Sequence, residues 1–322
     1  MSIKPLNDSS LAEAVALLDA GSLVALPTET VYGLAADSYN GRAVAEIFAA
    51  KGRPKFNPLI AHVSDLMMAE HYVEIDPLSR HLMKVFWPGA LTLVLQQKKP
   101  HSIHPLATAG LASVAIRCPC GGLRAAVARL GRPLVAPSAN RSGQLSPTSA
   151  AAVFASLGKN APLILDGGST KIGVESTIIK VVEGQIFLLR PGGVTTEMLE
   201  EASGTAVQRS NQCTAIEAPG MLESHYAPKA TLRLNAVCVE AGEAFLGFGS
   251  MVPEGIQQAL SFMNLSVDGV LPEAASNLFA ALFALDRMGA KRIAVAPIPM
   301  AGLGEAINDR LQRAAAPRSV RR

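Results

Sequence analysis

The sequence predicts an α/β fold in two unequal parts, on three observations. Short apolar runs alternate with stretches of helical period. Two of those runs, Thr177 to Val182 and Gln185 to Leu189, face each other across Glu183-Gly184 as a hairpin, which makes the sheet mixed rather than purely parallel. A polar stretch from Ser203 to Lys229, rich in Ser, Thr, Gln and Gly and carrying Pro219, Gly220 and Pro228, separates a long first part from a shorter second part of the same style. At 322 residues the chain has room for both. The predicted boundaries are a domain over 1–205, a linker over 206–230, a small α/β domain over 231–315 and a basic tail over 316–322.

The elements follow in order. Ser10-Leu-Ala-Glu13 reads as a capping box opening a helix with Leu11, Val15 and Leu18 inward and Gly21 at its end. Leu23 to Leu26 is a short strand running into the loop Pro27 to Gly33. A helix from Arg42 to Ala50 buries Val44, Ile47 and Phe48 and stops at Gly52 and Pro54. Leu59 to Val63 is a strand, Ser64-Asp65 caps the next helix, and Leu78 to Phe86 is another. Strands are expected at Leu91 to Leu95, Ser113 to Arg117, Pro133 to Ala136 and Leu163 to Leu165, and helices at Gly122 to Leu130 and Thr148 to Leu157. In the second part strands are expected at Leu232 to Ala236, Phe245 to Phe248 and Arg292 to Ala296, with helices at Glu273 to Met288 and Leu303 to Ala315.

Composition narrows the function classes. Only 17% of residues are charged and about half are apolar, so the chain can bury enough surface to order itself. The formal charge of +3 is accounted for by Arg318, Arg321 and Arg322, which leaves a neutral body and argues against gripping nucleic acid mainly through its phosphates. Cys118, Cys120, Cys213 and Cys238 form no C-x-x-C pair and read as reduced thiols. The N-terminus lacks the apolar stretch of a secretory signal, and no run suits a membrane span, so a cytoplasmic protein is expected.

Four clusters carry polar groups beside Gly or Pro at the ends of apolar elements, where open α/β sheets bind ligands. The first is Pro27-Thr28-Glu29-Thr30-Val31-Tyr32-Gly33. The second, Lys51-Gly52-Arg53-Pro54-Lys55-Phe56-Asn57, puts three cations at a helix end, which reads either as an anion site or as complementation of the helix dipole on a solvated surface. The third is Pro137 to Gly143 with Ser146-Pro147-Thr148, and its bland reading is a loop with Thr148 near a cap. The fourth is Gly173 to Thr177, with Arg190-Pro191-Gly192-Gly193 and Arg117 beside it. There is no G-x-x-x-x-G-K-[ST], no G-x-G-x-x-G after the first strand and no H-E-x-x-H, and the six histidines are scattered without metal-ligand spacing. Without a nucleophile–base set, such a site works by positioning and charge.

In this order, the stretches PTETVYGLAAD, KGRPKFNPLIAHV, APSANRSG with SPT, GVESTI and LLRPGG resemble the YrdC-like threonylcarbamoyl-AMP synthases. Ala218 to Pro228 resembles the linker of the family's long, two-domain form, whose second domain is Rossmann-like. The resemblance implies a twisted mixed sheet in the first domain and a reaction in which L-threonine, bicarbonate and ATP give threonylcarbamoyl-AMP and pyrophosphate. The product then passes to a tRNA threonylcarbamoyl transferase complex. It assigns threonine to Thr30, His62, Arg117, Ser138 and Ser176, and ATP to Lys51, Arg53, Asn57, Ser113, Asn140, Ser146, Thr148, Arg190 and Tyr226, the last as part of a linker lid. Lys51 and Arg53, facing solvent-filled space, are expected to be catalytic. Magnesium (Mg2+) is expected on the ATP phosphates, with no protein metal site. One difference stands out: Glu223 and Ser224 precede His225-Tyr226, where a basic residue is expected.

Two other readings compete. Lys51, Arg53 and Lys55 also fit a basic patch for double-stranded RNA, against which stand the neutral body and the lack of interleaved aromatics. A carbamoyl-adenylating hydrogenase maturation factor would carry Cys-rich zinc modules, which this chain lacks.

Overall fold

The computed structural model describes residues 3–100, 102–209, 219 and 225–317. Its contacts define two units. The first comprises 1–142, 147–171 and 175–221, and the second 143–146, 172–174 and 222–322.

In the first unit the elements are β1 (Ile3–Pro5), α1 (Asp8–Asp19), β2 (Val24–Leu26), β3 (Gly33–Asp37), α2 (Gly41–Lys51), β4 (Ile60–His62), α3 (Leu66–Glu70), α4 (Pro77–Phe86), β5 (Leu91–Gln96), β6 (Ser113–Arg117), α5 (Gly122–Leu130), β7 (Leu134–Val135), α6 (Ala150–Leu157), β8 (Leu163–Asp166), β9 (Thr177–Val182), β10 (Gln185–Arg190), α7 (Thr196–Ser203) and β11 (Val207–Arg209). The strands form one mixed sheet in the order β1-β8-β2-β3-β7-β4-β6-β5-β9-β10-β11. The expected hairpin is present, with β9 antiparallel to β10.

The sheet is covered unevenly. Around β8, β2 and β3, Val24, Leu26, Ala35 and Leu165 pack against α1 and α5. On the opposite face Ala25, Leu34 and Ile164 pack against Val153 and Leu157 of α6. Each fully buried leucine there contributes roughly 2 kcal/mol. Around β4, β6, β5 and β9, among the described residues, one face carries the small cluster Ile60, Val94, Ala115 and Ile178, with Leu189 beside it, and the cluster includes no helical residue. That face is where the chemistry-bearing side chains gather.

The second unit holds β12 (Thr231–Arg233), β13 (Glu243–Gly247), β14 (Ser261–Asn264), α8 (Leu271–Arg287), β15 (Arg292–Val295) and α9 (Leu303–Ala315). Its sheet, β12-β15-β13-β14, is parallel throughout.

Several expectations need correction. The box that opens α1 lies three residues earlier, with Asn7 as the cap: its side chain accepts from Ser10 N–H while Ser10 Oγ accepts from Asn7 N–H. The cap of α6 is Ser149, which accepts from Ala152 N–H, so Thr148 lies just outside the helix. Strands β1, β3 and β14 and helix α7 go unread in the sequence. Val207–Arg209, inside the segment read as linker, pairs in parallel with β10 as an edge strand. Most of that linker, 210–218 and 220–224 with Glu223 and Ser224, lies outside the described residues, as do 318–322 of the tail.

Candidate active site

Strand register gathers the site. His62 pairs with Arg117, and Ile60 with Ala115. Val94 pairs with Ala115 and Gln96 with Ser113, while Thr92 lies opposite Ile178. Because side chains alternate along a strand, His62, Arg117, Thr92 and Ser176 share the face of the Ile60–Ala115–Val94–Ile178 strip, and Ser113 and Lys180 lie on its far side. The face thus reads as a polar row, an apolar strip and a second polar end. Arg117 and Ser113 are four residues apart, roughly 13 Å at about 3.3 Å per residue.

The first row is tightly bonded. Arg117 is 4% exposed. Its Nε donates to Gly89 O at 3.0 Å, and its Nη2 to Glu29 Oε1 at 2.6 Å and Thr30 Oγ1 at 3.0 Å. Glu29 Oε2 accepts from Cys120 N–H at 2.8 Å. Thr92 and Ser176 share a hydrogen bond of 2.8 Å between their hydroxyls. Arg190 Nη2 donates to Ser176 O at 2.7 Å and to Ser176 Oγ at 3.2 Å. Arg190 reaches them because Gly192 lies flat on the chain at Ser176: a Cβ there would stand 2.4 Å from Ser176 C and Thr177 N. His62 is 2% exposed, and its Nδ1 has no hydrogen-bond partner among the described residues. Burial, and after it the Arg117 charge, pull its pKa down to about 3, so the imidazole is neutral at ordinary pH.

The other end is built by the loop after α2. Gly52 closes that helix at φ +61, in the left-handed region, and turns the chain so that Arg53 N–H bonds back to Phe48 O at 2.9 Å. Lys51 Nζ then donates to Ser138 O and Asn140 O, each at 2.5 Å. Lys51 O accepts from Ser142 N–H at 2.8 Å, so one lysine brackets the Ser138–Ser142 loop at both ends. Arg53 donates to Asn57 O, Asn57 Oδ1 and Pro58 O at 3.1, 2.7 and 2.8 Å. Ala136 N–H bonds Ile60 O, so β7 leads Ser138 toward the Asn57–Pro58 end of β4. Beyond Ser113 lies a hollow of about 680 Å³ whose lining includes Val94, Gln96, Lys180, Glu74 and Asp76.

One expectation changes here. Lys51 and Arg53 are 3% and 8% exposed, not turned to open solvent, because the left-handed turn at Gly52 folds both onto backbone carbonyls. Burial, followed by repulsion from Arg53, holds the Lys51 ammonium well below its ordinary range. Of the three clustered cations only Lys55 is exposed. Residues expected on different substrates also touch: the main-chain oxygen of Ser138, expected with threonine, meets Lys51, and Arg190, expected with ATP, meets Ser176.

Asn57, Asn140 and Thr148 are buried in the first unit, and Thr148 O accepts from Thr170 N–H. Ser146 and Tyr226 belong to the second unit. There Tyr226 is 2% exposed, at φ +61, with its ring 5.0 Å from the Arg310 guanidinium carbon and 5.7 Å from the Phe279 ring. Sequence reasoning singled out neither Thr92 nor Lys180, and it named Glu29 in the first cluster without a role of its own. The first has a readable signal: one hydroxyl inside the apolar run Leu91–Leu95, which must face a partner if buried.

No group of three or more His, Cys, Asp or Glu side chains among the described residues is arranged to hold a metal ion. The groups offered instead, ammonium, guanidinium, amide and hydroxyl, suit anionic oxygens.

Comparison with known proteins agrees with this chemistry. The profile of the family described as "Telomere recombination" (Sua5, YciO, YrdC) matches residues 16–192, and that described as "Threonylcarbamoyl-AMP synthase, C-terminal domain" matches residues 194–316. A threonylcarbamoyl-AMP synthase of Bacillus subtilis is 40% identical over 98% of this chain and 95% of its own. One from Pyrococcus abyssi is 38% identical over 96% and 94%. The crystal structure of P. abyssi Sua5 complexed with L-threonine superposes with a TM-score of 0.86 at 35% identity, covering 97% of each chain.

Proposed function

The chain belongs to the threonylcarbamoyl-AMP synthase family, and from that premise we propose that the sheet face of β4, β6, β5 and β9 holds two of its three substrates, L-threonine and ATP, end to end. The enzyme makes threonylcarbamoyl-AMP and pyrophosphate from L-threonine, bicarbonate and ATP, a nucleotidyl transfer that serves tRNA modification. The observation that carries the site assignment is the order on one face, a polar row with an arginine, an apolar strip, then Ser113, together with the buried cations Lys51 and Arg53 in the loop that leads into the same end of β4.

The amino acid takes the row of His62, Arg117, Thr92 and Ser176, with Thr30 at its edge. Arg117 Nη1, which bonds nothing among the described residues, receives the substrate carboxylate. Neutral His62 offers an unoccupied Nδ1 to an N–H or O–H of the substrate. The ATP end is formed by Lys51, Arg53, Asn57, Ser113, Asn140 and Thr148, Ser138 is assigned to threonine on the family resemblance, and Arg190, assigned to ATP, stands where threonine and ATP meet. Ser146 and Tyr226 are assigned to ATP on the family resemblance alone. The segment read as a lid is assigned that role on its resemblance to the family linker.

The chemistry suits these groups. The threonine amine attacks bicarbonate carbon to give a carbamate, with water leaving. A carbamate oxygen attacks the α-phosphorus, and the bond to pyrophosphate breaks. Negative charge bunches at the phosphoryl centre, and fixed buried cations stabilise it without reorganising. A divalent cation, magnesium, enters as part of the ATP substrate, and the groups at the ATP end suit its phosphate oxygens. The product passes to a tRNA threonylcarbamoyl transferase complex in a cytoplasmic setting; no described helix is long and apolar enough to cross a membrane. A duplex-RNA role loses its basis, since two of the three cations proposed to meet phosphates are buried against carbonyls.

Pyrophosphate release measured with ATP, bicarbonate and magnesium tests the reading. Release should require L-threonine. Equal release with no amino acid would overturn it.

A further inference from the structure

Arg117 has five N–H donors, and the structure shows three of them spent: one on Gly89 O, one on Thr30 Oγ1 and one on Glu29 Oε1. Glu29 is the only anionic partner among them. Its pair with Arg117 is nearly sealed, at 11% and 5% side-chain exposure, so solvent screens it little. Its second oxygen is taken by the Cys120 N–H, two residues past Cys118 and just before α5. The carboxylate therefore bridges the loop after β2 to the segment after β6, and Arg117 is the side chain held between them.

From this we infer that Glu29 is a positioning residue for the amino-acid substrate, an inference that rests on the proposed function. By occupying Nη2 together with Thr30, Glu29 leaves Nη1 as the free corner of the guanidinium and fixes its direction. The substrate carboxylate is then grasped at one nitrogen and one angle. An unrestrained arginine would offer its whole fork in many poses, and a misplacement of about 1 Å costs on the order of a hundredfold in rate. Among the described residues Glu29 bonds Arg117 and the Cys120 N–H, neither of which belongs to the ATP end. The effect must therefore appear in the amino-acid parameters and spare those for ATP.

The full-length enzyme carries the test, with Glu29→Gln and Glu29→Ala each made alone and with Arg117→Ala. Pyrophosphate release supplies KM for threonine and for ATP, and calorimetry supplies threonine affinity without ATP. Glu29→Ala should raise the threonine KM about tenfold or more and leave the ATP KM within about twofold. Glu29→Gln should fall between, since its amide can serve Arg117 or the Cys120 N–H but not both. Where Arg117 is already alanine, changing Glu29 should add nothing. Should Glu29→Ala fail to fold, the isosteric Glu29→Gln decides. An unchanged threonine KM, an equal rise for ATP, or a full added loss in the Arg117→Ala background would overturn the inference. Wild-type enzyme that binds threonine yet releases no pyrophosphate would count against the proposed function alone, and calorimetry would still measure the Glu29 effect.

Discussion

The two units treat their buried charges in opposite ways. In the second, Glu243 is 2% exposed and fully engaged: Arg233 grips it through Nε at 2.9 Å and Nη2 at 2.5 Å, and Glu240 N–H adds a third bond at 2.9 Å. That fork holds the Glu243 carboxyl below its ordinary range. In the first unit, Lys51 donates to two backbone carbonyls and to no carboxylate among the described residues, and Arg117, although paired with Glu29, keeps one nitrogen spare among them. A closed ion pair locks structure. A buried cation without a counter-anion is poorly compensated and is stabilised when an anion arrives. The contrast separates scaffold from site without reference to any ligand.

Substitutions can sharpen or break that contrast. The largest effect should come from Lys51→Ala and Arg53→Ala, which should cut pyrophosphate release by about 10² to 10³. Because both side chains also satisfy buried carbonyls, the variants should melt lower as well, and wild-type turnover in either would erase the distinction. Next, Glu243→Gln should lower stability against denaturant by about 1–2 kcal/mol, since Arg233 is partly exposed and Glu240 stays near it, while turnover per folded molecule stays within about twofold. Since the folded pKa of Glu243 lies below its unfolded value, its contribution is present above the ordinary carboxylate range and fades as pH falls, so the variant's acid profile should be flatter.

Third, His62→Gln should raise the threonine KM several-fold, roughly the loss of one hydrogen bond in a dry site. It should also remove an acid sensitivity. Unfolded His62 takes up a proton below about pH 6.5, whereas folded His62 resists until about 3, so wild-type stability falls across that window and the variant's should not. The smallest effect belongs to Lys55→Ala: this lysine shares the cluster's sequence but not its burial, and turnover should move less than about twofold.

Much of the fold could be read from pattern. β6, α5 and α9 fall at the residues expected, because alternation, left-handed glycine at Gly131 and the apolar stripe of α9 agree with tertiary packing. What escaped did so for physical reasons. β3, Gly-Leu-Ala-Ala-Asp, is buried at every position and shows no alternation. β1 and β11 are edge strands of only three residues, too short to show a period, and the partner of β1, β8, lies far along the chain. β14 sits at the edge of the second sheet with Phe262 exposed, so no half-buried pattern marks it. The candidate site residues were visible through their chemical type and the order of their motifs. The burial of Lys51 was not, because it depends on carbonyls 87 and 89 residues away meeting the lysine. Glu29 stood in plain view in the first motif, yet its partners Arg117 and Cys120 come 88 and 91 residues later.

The spacing along β6 has a consequence for how such a site can change. The interval from Arg117 to Ser113 is set by main-chain rise, not by any side chain. Residues at one end can be exchanged without shifting the other, as the jaws of a fixed-length gauge can be refaced separately. A new amino-acid preference could therefore arise by mutation around Arg117 while the grip on the nucleotide is inherited intact.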